Sequence, residues 1–170
     1  IIQTRGNGNS LFLDGLILEN RAGLTLSPIV QLGLHQAWMQ GIPLEHLRCG
    51  LGLYAPDLII LQSGINEAET MRAGRRPFDP TVYREQLLLW LQKLKKAYQG
   101  PVILFGPPER LVVVRGQRIP QAEIPIISSI QEDVARELGF AFFDTYHALR
   151  GAGSMQQMIE RREAHADGTH

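Results

Sequence analysis

Asp167-Gly168-Thr169-His170 places an acid three positions before a histidine. On one tight turn the carboxylate can bond the ring nitrogen that the histidine does not use for chemistry. It then fixes the tautomer and stabilises the imidazolium formed when the other nitrogen takes a proton from a nucleophile. That is half of a hydrolase site, although the same spacing also suits a plain solvated loop. Gly64-Ile65-Asn66-Glu67-Ala68 is a second group. Glycine lets the chain turn closely, and Asn66 can offer a neutral amide to a developing oxyanion or simply cap the turn. Glu67 reads as a helix-start or solvated acid. Gly33 is a third close-approach position, either a turn glycine or a backbone N–H aimed at the same oxygen.

The elements that must position these groups follow from periodicity. Asp57 to Gln62 is a continuous apolar run of the kind buried on both faces of a parallel sheet, and it ends at Ser63-Gly64. Asp79-Pro80 opens a helix whose apolar face is Tyr83, Leu87, Trp90, Leu91, Leu94 and Tyr98, stopped by Gly100. Pro101 to Phe105 is another strand. A helix carrying Ile126, Ile127, Ile130, Val134 and Leu138 ends at Gly139, and Phe140 to Phe143 is the last strand. Upstream, Leu44, Leu47, Leu51 and Tyr54 have helical spacing behind Pro43, and Ile29 to Leu32 reads as a short strand ending at Gly33. Residues 1–27 read instead as short meandering strands, with turns at Asn7-Gly8-Asn9 and Asn20 to Gly23 and a strand at Leu24-Thr25-Leu26. Strand and helix alternating over residues 28–144 predict an α/β fold with a parallel, flavodoxin-like sheet in three α/β/α layers. In such sheets ligands bind outside the carboxyl ends of the strands, so the turns after Leu32, Gln62 and Phe105 should share one rim.

Composition narrows the partners. The 170 residues are 44% hydrophobic and 20% charged, with 17 basic and 17 acidic side chains. Charge balance leaves no field to gather nucleic acid. The longest apolar runs are strand-sized, which predicts no transmembrane segment. Cys49 is the single cysteine, so no internal disulfide can form. His165 and His170 with Asp167 lack the cysteine pair or the His-x-x-x-His helix that would indicate a metal, and neither metal nor cofactor is expected. His35 reads as a structural or rim histidine, Trp90 as packing, and Trp38 as packing or a sugar contact. The sequence opens at Ile1 without methionine or leader, as expected of a mature form or an excerpt.

Taken together, the segment Ala55 to Ala68, with its strand ending in Gly64-Ile65-Asn66, resembles the third conserved block of the SGNH, or GDSL-type, hydrolases. Asp167-Gly168-Thr169-His170 resembles their fifth block, and Gly33 stands where their second-block glycine belongs. The resemblance implies His170 as general base and Asp167 as its orienting acid. Asn66 and the Gly33 amide would form the oxyanion hole with the nucleophile's own N–H. Gly151-Ala152-Gly153-Ser154-Met155 is similar to a Gly-x-Gly-Ser-Met stretch in the subgroup of peptidoglycan O-acetylesterases and related two-domain carbohydrate esterases. Gly64, Ser154 and Met155 are accordingly possible substrate contacts. In that subgroup a β-rich module precedes the second block, so residues 1–27 would be its end and residues 28–170 the hydrolase-like domain.

One block departs from this pattern. The family's nucleophile lies in a Gly-Asp-Ser block, and no Gly-Asp-Ser occurs in these 170 residues; Ser10, Ser27, Ser63, Ser128, Ser129 and Ser154 all have other contexts. Gly33-Leu34-His35-Gln36 also differs from the usual Gly-x-Asn-Gly. The expectation is a serine esterase removing O-acetyl groups from a bacterial cell-wall or other polysaccharide, its serine lying outside this sequence. The expected setting is the periplasm, the cell envelope or the extracellular space. An acyltransferase and a non-catalytic carbohydrate-binding or scaffold domain are the alternatives.

Overall fold

A computed structural model describes residues 22–29, 33, 35–72 and 78–165. The chain divides into two compact units, Ile1–Val30 and Gln31–His170. In the first, residues 24–29 carry no regular structure and Leu24 is 98% exposed. The strand expected at Leu24-Thr25-Leu26 is therefore not formed. The turn at Asn7-Gly8-Asn9 and its neighbouring strands lie outside the described residues, as do residues 30–32; Ile29 itself is irregular and exposed.

The second unit opens with α1 (Gln36–Gly41) and α2 (Leu44–Tyr54), followed by β1 (Ile59–Gln62) and α3 (Ile65–Arg72). Then come α4 (Pro80–Ala97), β2 (Val102–Phe105), β3 (Leu111–Val114) and β4 (Gln117–Pro120). The order closes with α5 (Glu123–Leu138), β5 (Ala141–Phe143), α6 (Thr145–Ala148) and α7 (Ser154–Glu160). Asp79 caps α4 by accepting from the N–H groups of Thr81 and Val82 at 2.9 and 3.2 Å, with Pro80 in the first turn. Tyr83, Leu87, Trp90, Leu91 and Leu94 are all buried along one face. Tyr98 lies just past the helix end, where its hydroxyl donates to Pro56 O at 3.0 Å. Helix α5 has the expected Gly139 stop, in the left-handed region. Its buried stripe, however, runs through Ile124, Ile127, Gln131, Val134 and Leu138, which turns Ile126 out to solvent.

Strands β1, β2 and β5 form a parallel three-stranded sheet in that order. Ile59 and Leu61, Val102 and Leu104, and Phe142 point from one face into the core built on α4 and α5. The opposite face carries Ile60, 51% exposed, and the Phe105 and Phe143 rings, 4.8 Å apart. The run at Asp57 to Gln62 is thus covered on one face among the described residues, not on both. The topology supplies the reason. Right-handed crossovers that always step the same way across a sheet leave their helices on the same side, and α4 and α5 make two such steps. Between β2 and α5 a separate antiparallel hairpin, β3–β4, turns at Arg115-Gly116, both with positive φ. The α/β class is as expected, with a parallel sheet flanked by helices and this small hairpin added.

Candidate functional site

The carboxyl ends of β1, β2 and β5 lead into Ser63-Gly64, Gly106 to Glu109, and Asp144. In a parallel sheet these ends share one rim. Gly64 has φ +113°, and a Cβ there would stand 2.8 Å from Ile127 Cγ2 and 3.1 Å from Pro107 Cγ. Only glycine lets the chain turn this close to α5. Helix α3 begins at the next residue and carries Asn66, half-buried, in its first turn. Gly33 has φ +70° and open space where a Cβ would stand.

Glu67 is more than the helix-start or solvated acid expected. Its Oε2 accepts the Gly64 N–H at 3.0 Å, and its Oε1 accepts the Gln36 N–H at 3.0 Å, 31 residues away in sequence. Beneath it lies a buried polar cluster. Gln36 Nε2 and Gln131 Nε2 each donate to the Tyr83 hydroxyl at 2.9 Å, and Gln131 Nε2 also reaches Ser63 O at 3.1 Å. Burial, then the nearby Glu67 carboxylate, pushes the Tyr83 phenol far above its usual range against the opposing pull of the two amides, so it stays neutral. No apolar periodicity signals this cluster; its only trace in sequence is glutamine at positions phased with the core.

The loop after β2 holds a second bonded acid, this one buried. Glu109, 2% exposed, accepts from Gly153 N at 2.7 Å, Met155 N at 2.7 Å and Ser154 Oγ at 3.2 Å. Ser154 is the first residue of α7, and both it and Met155, the possible substrate contacts, are buried. The N-terminus of α7 is satisfied from a distant loop by a carboxylate.

After β5 the spacing Asp-x-x-His occurs a second time, at Asp144 to His147. Asp144 caps α6, accepting the His147 N–H at 3.0 Å, while its Oδ2 lies 2.6 Å from His147 Nδ1. Partial burial pushes the Asp144 carboxyl up. The His147 backbone and ring bonds, the His147 charge and the Ser128 hydroxyl outweigh it and hold the carboxyl below its ordinary value. The His147 ring is 74% exposed. Asp167 and His170 lie outside the described residues. Of the other histidines, His35 is half-buried at the N-cap of α1, and His46 and His165 are exposed. Trp90 is core and Trp38 is exposed. Among the described residues no group of three His, Cys, Asp or Glu side chains could hold a metal ion. No helix among them is long and apolar enough to cross a membrane. A depression beside α2 and α4, about 380 Å³ and lined by Gln40, Leu44 and Leu89 among others, touches none of the rim residues.

A parallel sheet flanked by helices, whose rim carries a tight glycine turn and acids capping neighbouring helices, makes this an α/β protein with an arrangement consistent with an SGNH fold. Structural comparison finds the same class. A peptidoglycan O-acetylesterase superposes with a TM-score of 0.66 at 22% identity, covering 81% of this chain and 38% of that one. An acetyl xylan esterase does so at 0.52 and 16%, covering 76% and 68%. A lipase/acylhydrolase from Enterococcus faecalis does so at 0.50 and 23%, covering 76% and 62%. This chain therefore spans well under half the length of the first. No protein-family model and no curated protein matches the sequence. At these identities the likeness is one of fold.

Proposed function

We propose that this chain carries most of the site of a serine esterase that removes acetyl groups from a bacterial cell-wall or other polysaccharide. The observation that carries the reading is the Gly64 turn at the end of β1, which places Asn66 at the rim of a sheet shared with SGNH-type esterases. Two of the similar structures are named for acetyl esters of peptidoglycan and of xylan, which favours a polymeric acetyl ester as substrate. A polymer of that kind fits a periplasmic, cell-envelope or secreted setting.

In this reading a serine from a Gly-Asp-Ser segment outside these residues attacks the ester carbonyl carbon. His170 takes the hydroxyl proton, Asp167 orients it, and the carbonyl electron pair moves to an oxygen held by the Gly33 N–H and the Asn66 amide. Collapse expels the sugar hydroxyl, which takes the proton from His170. Water then repeats the sequence on the acetyl-enzyme. Residues 1–27 are the end of a β-rich module and residues 28–170 the hydrolase domain. An acyltransferase would differ only in using a sugar hydroxyl in place of water. The second reading is a carbohydrate-binding domain without catalysis, favoured by the lack of any Gly-Asp-Ser in the sequence.

Fluorophosphonate labelling of the full-length polypeptide, with peptide mapping, separates the readings. A modified Gly-Asp-Ser serine together with acetyl-ester hydrolysis supports the esterase, and Asn66→Ala should then lower kcat by about 10²-fold. No labelling and no hydrolysis supports the binding domain.

A further inference from the structure

We propose that Glu67 is a positioning residue that sets the separation of the two oxyanion donors by tying their loops to one carboxylate. The inference rests on the esterase reading and adds to it a residue that touches no substrate.

Each bonded N–H lies at a helix start within three residues of a proposed donor. Gln36 is the first residue of α1, three positions after Gly33, and its N-cap His35 makes no side-chain capping bond. Gly64 immediately precedes α3, and Glu67 stands in the first turn of that helix, so its bond to Gly64 is the reciprocal half of a capping box. The other carboxylate oxygen is left over for Gln36. One side chain therefore satisfies an orphan donor on each of two helices. The side chain of Gln36 is fixed from below through Tyr83, which Gln131 links to Ser63. The Gln131 orientation is set because Ser63 O can only accept. The α1 start and the β1–α3 turn are thus joined twice, once at the rim by Glu67 and once underneath by neutral amides.

An oxyanion hole stabilises a transition state only when its donors are held in place before the reaction. Displacement by about 1 Å can cost about 10²-fold in rate. Ground-state binding of the ester does not depend on that spacing, so the cost falls on kcat. Glu67→Gln keeps the size but offers one acceptor and sets an amide N–H against the second donor, which releases one loop. Glu67→Asp is too short to span both.

The test uses the full-length protein and two readouts. In Glu67→Gln and Glu67→Asp, backbone hydrogen exchange at Gln36 or Gly64 should quicken by about 10-fold or more, with α4 and α5 amides unchanged. On an acetyl ester, kcat should fall about 10- to 10²-fold with KM within about twofold. Unchanged exchange at both amides overturns the clamp. Faster exchange with unchanged kcat overturns the positioning role. If the unsubstituted protein hydrolyses no ester, the esterase reading and the positioning role fall together, while exchange still decides whether the clamp exists.

Discussion

Replacing Gly64 by alanine gives the most direct test of how the rim is built. Two costs add at this position. At φ +113° an L side chain adopts a sparsely populated backbone conformation, worth about 1–3 kcal/mol. The new Cβ would also meet Ile127 Cγ2 at 2.8 Å, and Gln131 Nε2 and Pro107 Cγ at 3.1 Å. Relieving that crowding costs about 1–3 kcal/mol in a packed interior. It also pushes Gln131 away from Ser63 and Tyr83. Gly139→Ala supplies the control, because Gly139 has φ +72° with nothing within 4 Å of its would-be Cβ. There only the left-handed strain remains, about 1–2 kcal/mol. With a urea m-value of about 2 kcal/mol/M, a loss of about 4 kcal/mol in Gly64→Ala moves the midpoint down by about 2 M. Gly139→Ala should move it by less than about 1 M. Equal midpoints for the two variants would refute the claim that close approach to α5, rather than backbone conformation alone, demands glycine at the end of β1.

Two further expectations concern the acids. Glu109→Ala strands three donors, two of them buried on Ser154 and Met155 and one half-buried on Gly153, and should cost about 3 kcal/mol by urea unfolding; Glu109→Gln should fall between. Asp144 is held below its ordinary value in the folded chain, so its stabilising contribution is complete above the unfolded carboxylate pKa of about 4 and is lost as pH falls through the folded value. The stability gap between the unsubstituted protein and Asp144→Asn, about 1 kcal/mol at most for a solvent-screened cap, should accordingly be present at pH 7 and close below pH ~4; a gap that widens in acid would contradict the pairing.

What the sequence disclosed and what it hid divide along physical lines. Helix α4 was legible because its cap, its first-turn proline and its apolar spacing all act locally, and the same holds for the strands at Ile59–Gln62 and Val102–Phe105. Which side of α5 faces inward was less so, because Ile126 and Ile124 both fit an apolar stripe and only the tertiary packing chose between them. The extent of sheet coverage was not legible at all. Continuous apolar runs signal strands that can be covered twice, whereas β1 is covered by helices that all cross in one direction. Least visible were the long-range polar ties. Glu67 to Gln36 and Glu109 to Gly153 join residues 31 and 44 positions apart, and no spacing rule marks an acid that caps a helix it does not belong to.

The repeated Asp-x-x-His spacing sharpens the assignment of the base. At Asp144 to His147 one helical turn brings carboxylate and ring together at 2.6 Å while the backbone N–H takes the other oxygen. This shows that three residues of separation suffice for the pairing that the proposed mechanism requires of Asp167 and His170. It also creates a rival, because His147 stands after β5 on the same rim with an exposed ring. The two differ in what Asp144 already does: its second oxygen is occupied by the α6 cap and the Ser128 hydroxyl, which fits a helix N-cap. His147→Ala should therefore leave kcat within about threefold, whereas His170→Ala should lower it by about 10⁴-fold or more, as loss of a catalytic base does. Measured on an acetyl ester with the full-length protein, the reverse pattern would move the base to His147 and remove Asp167 and His170 from the mechanism.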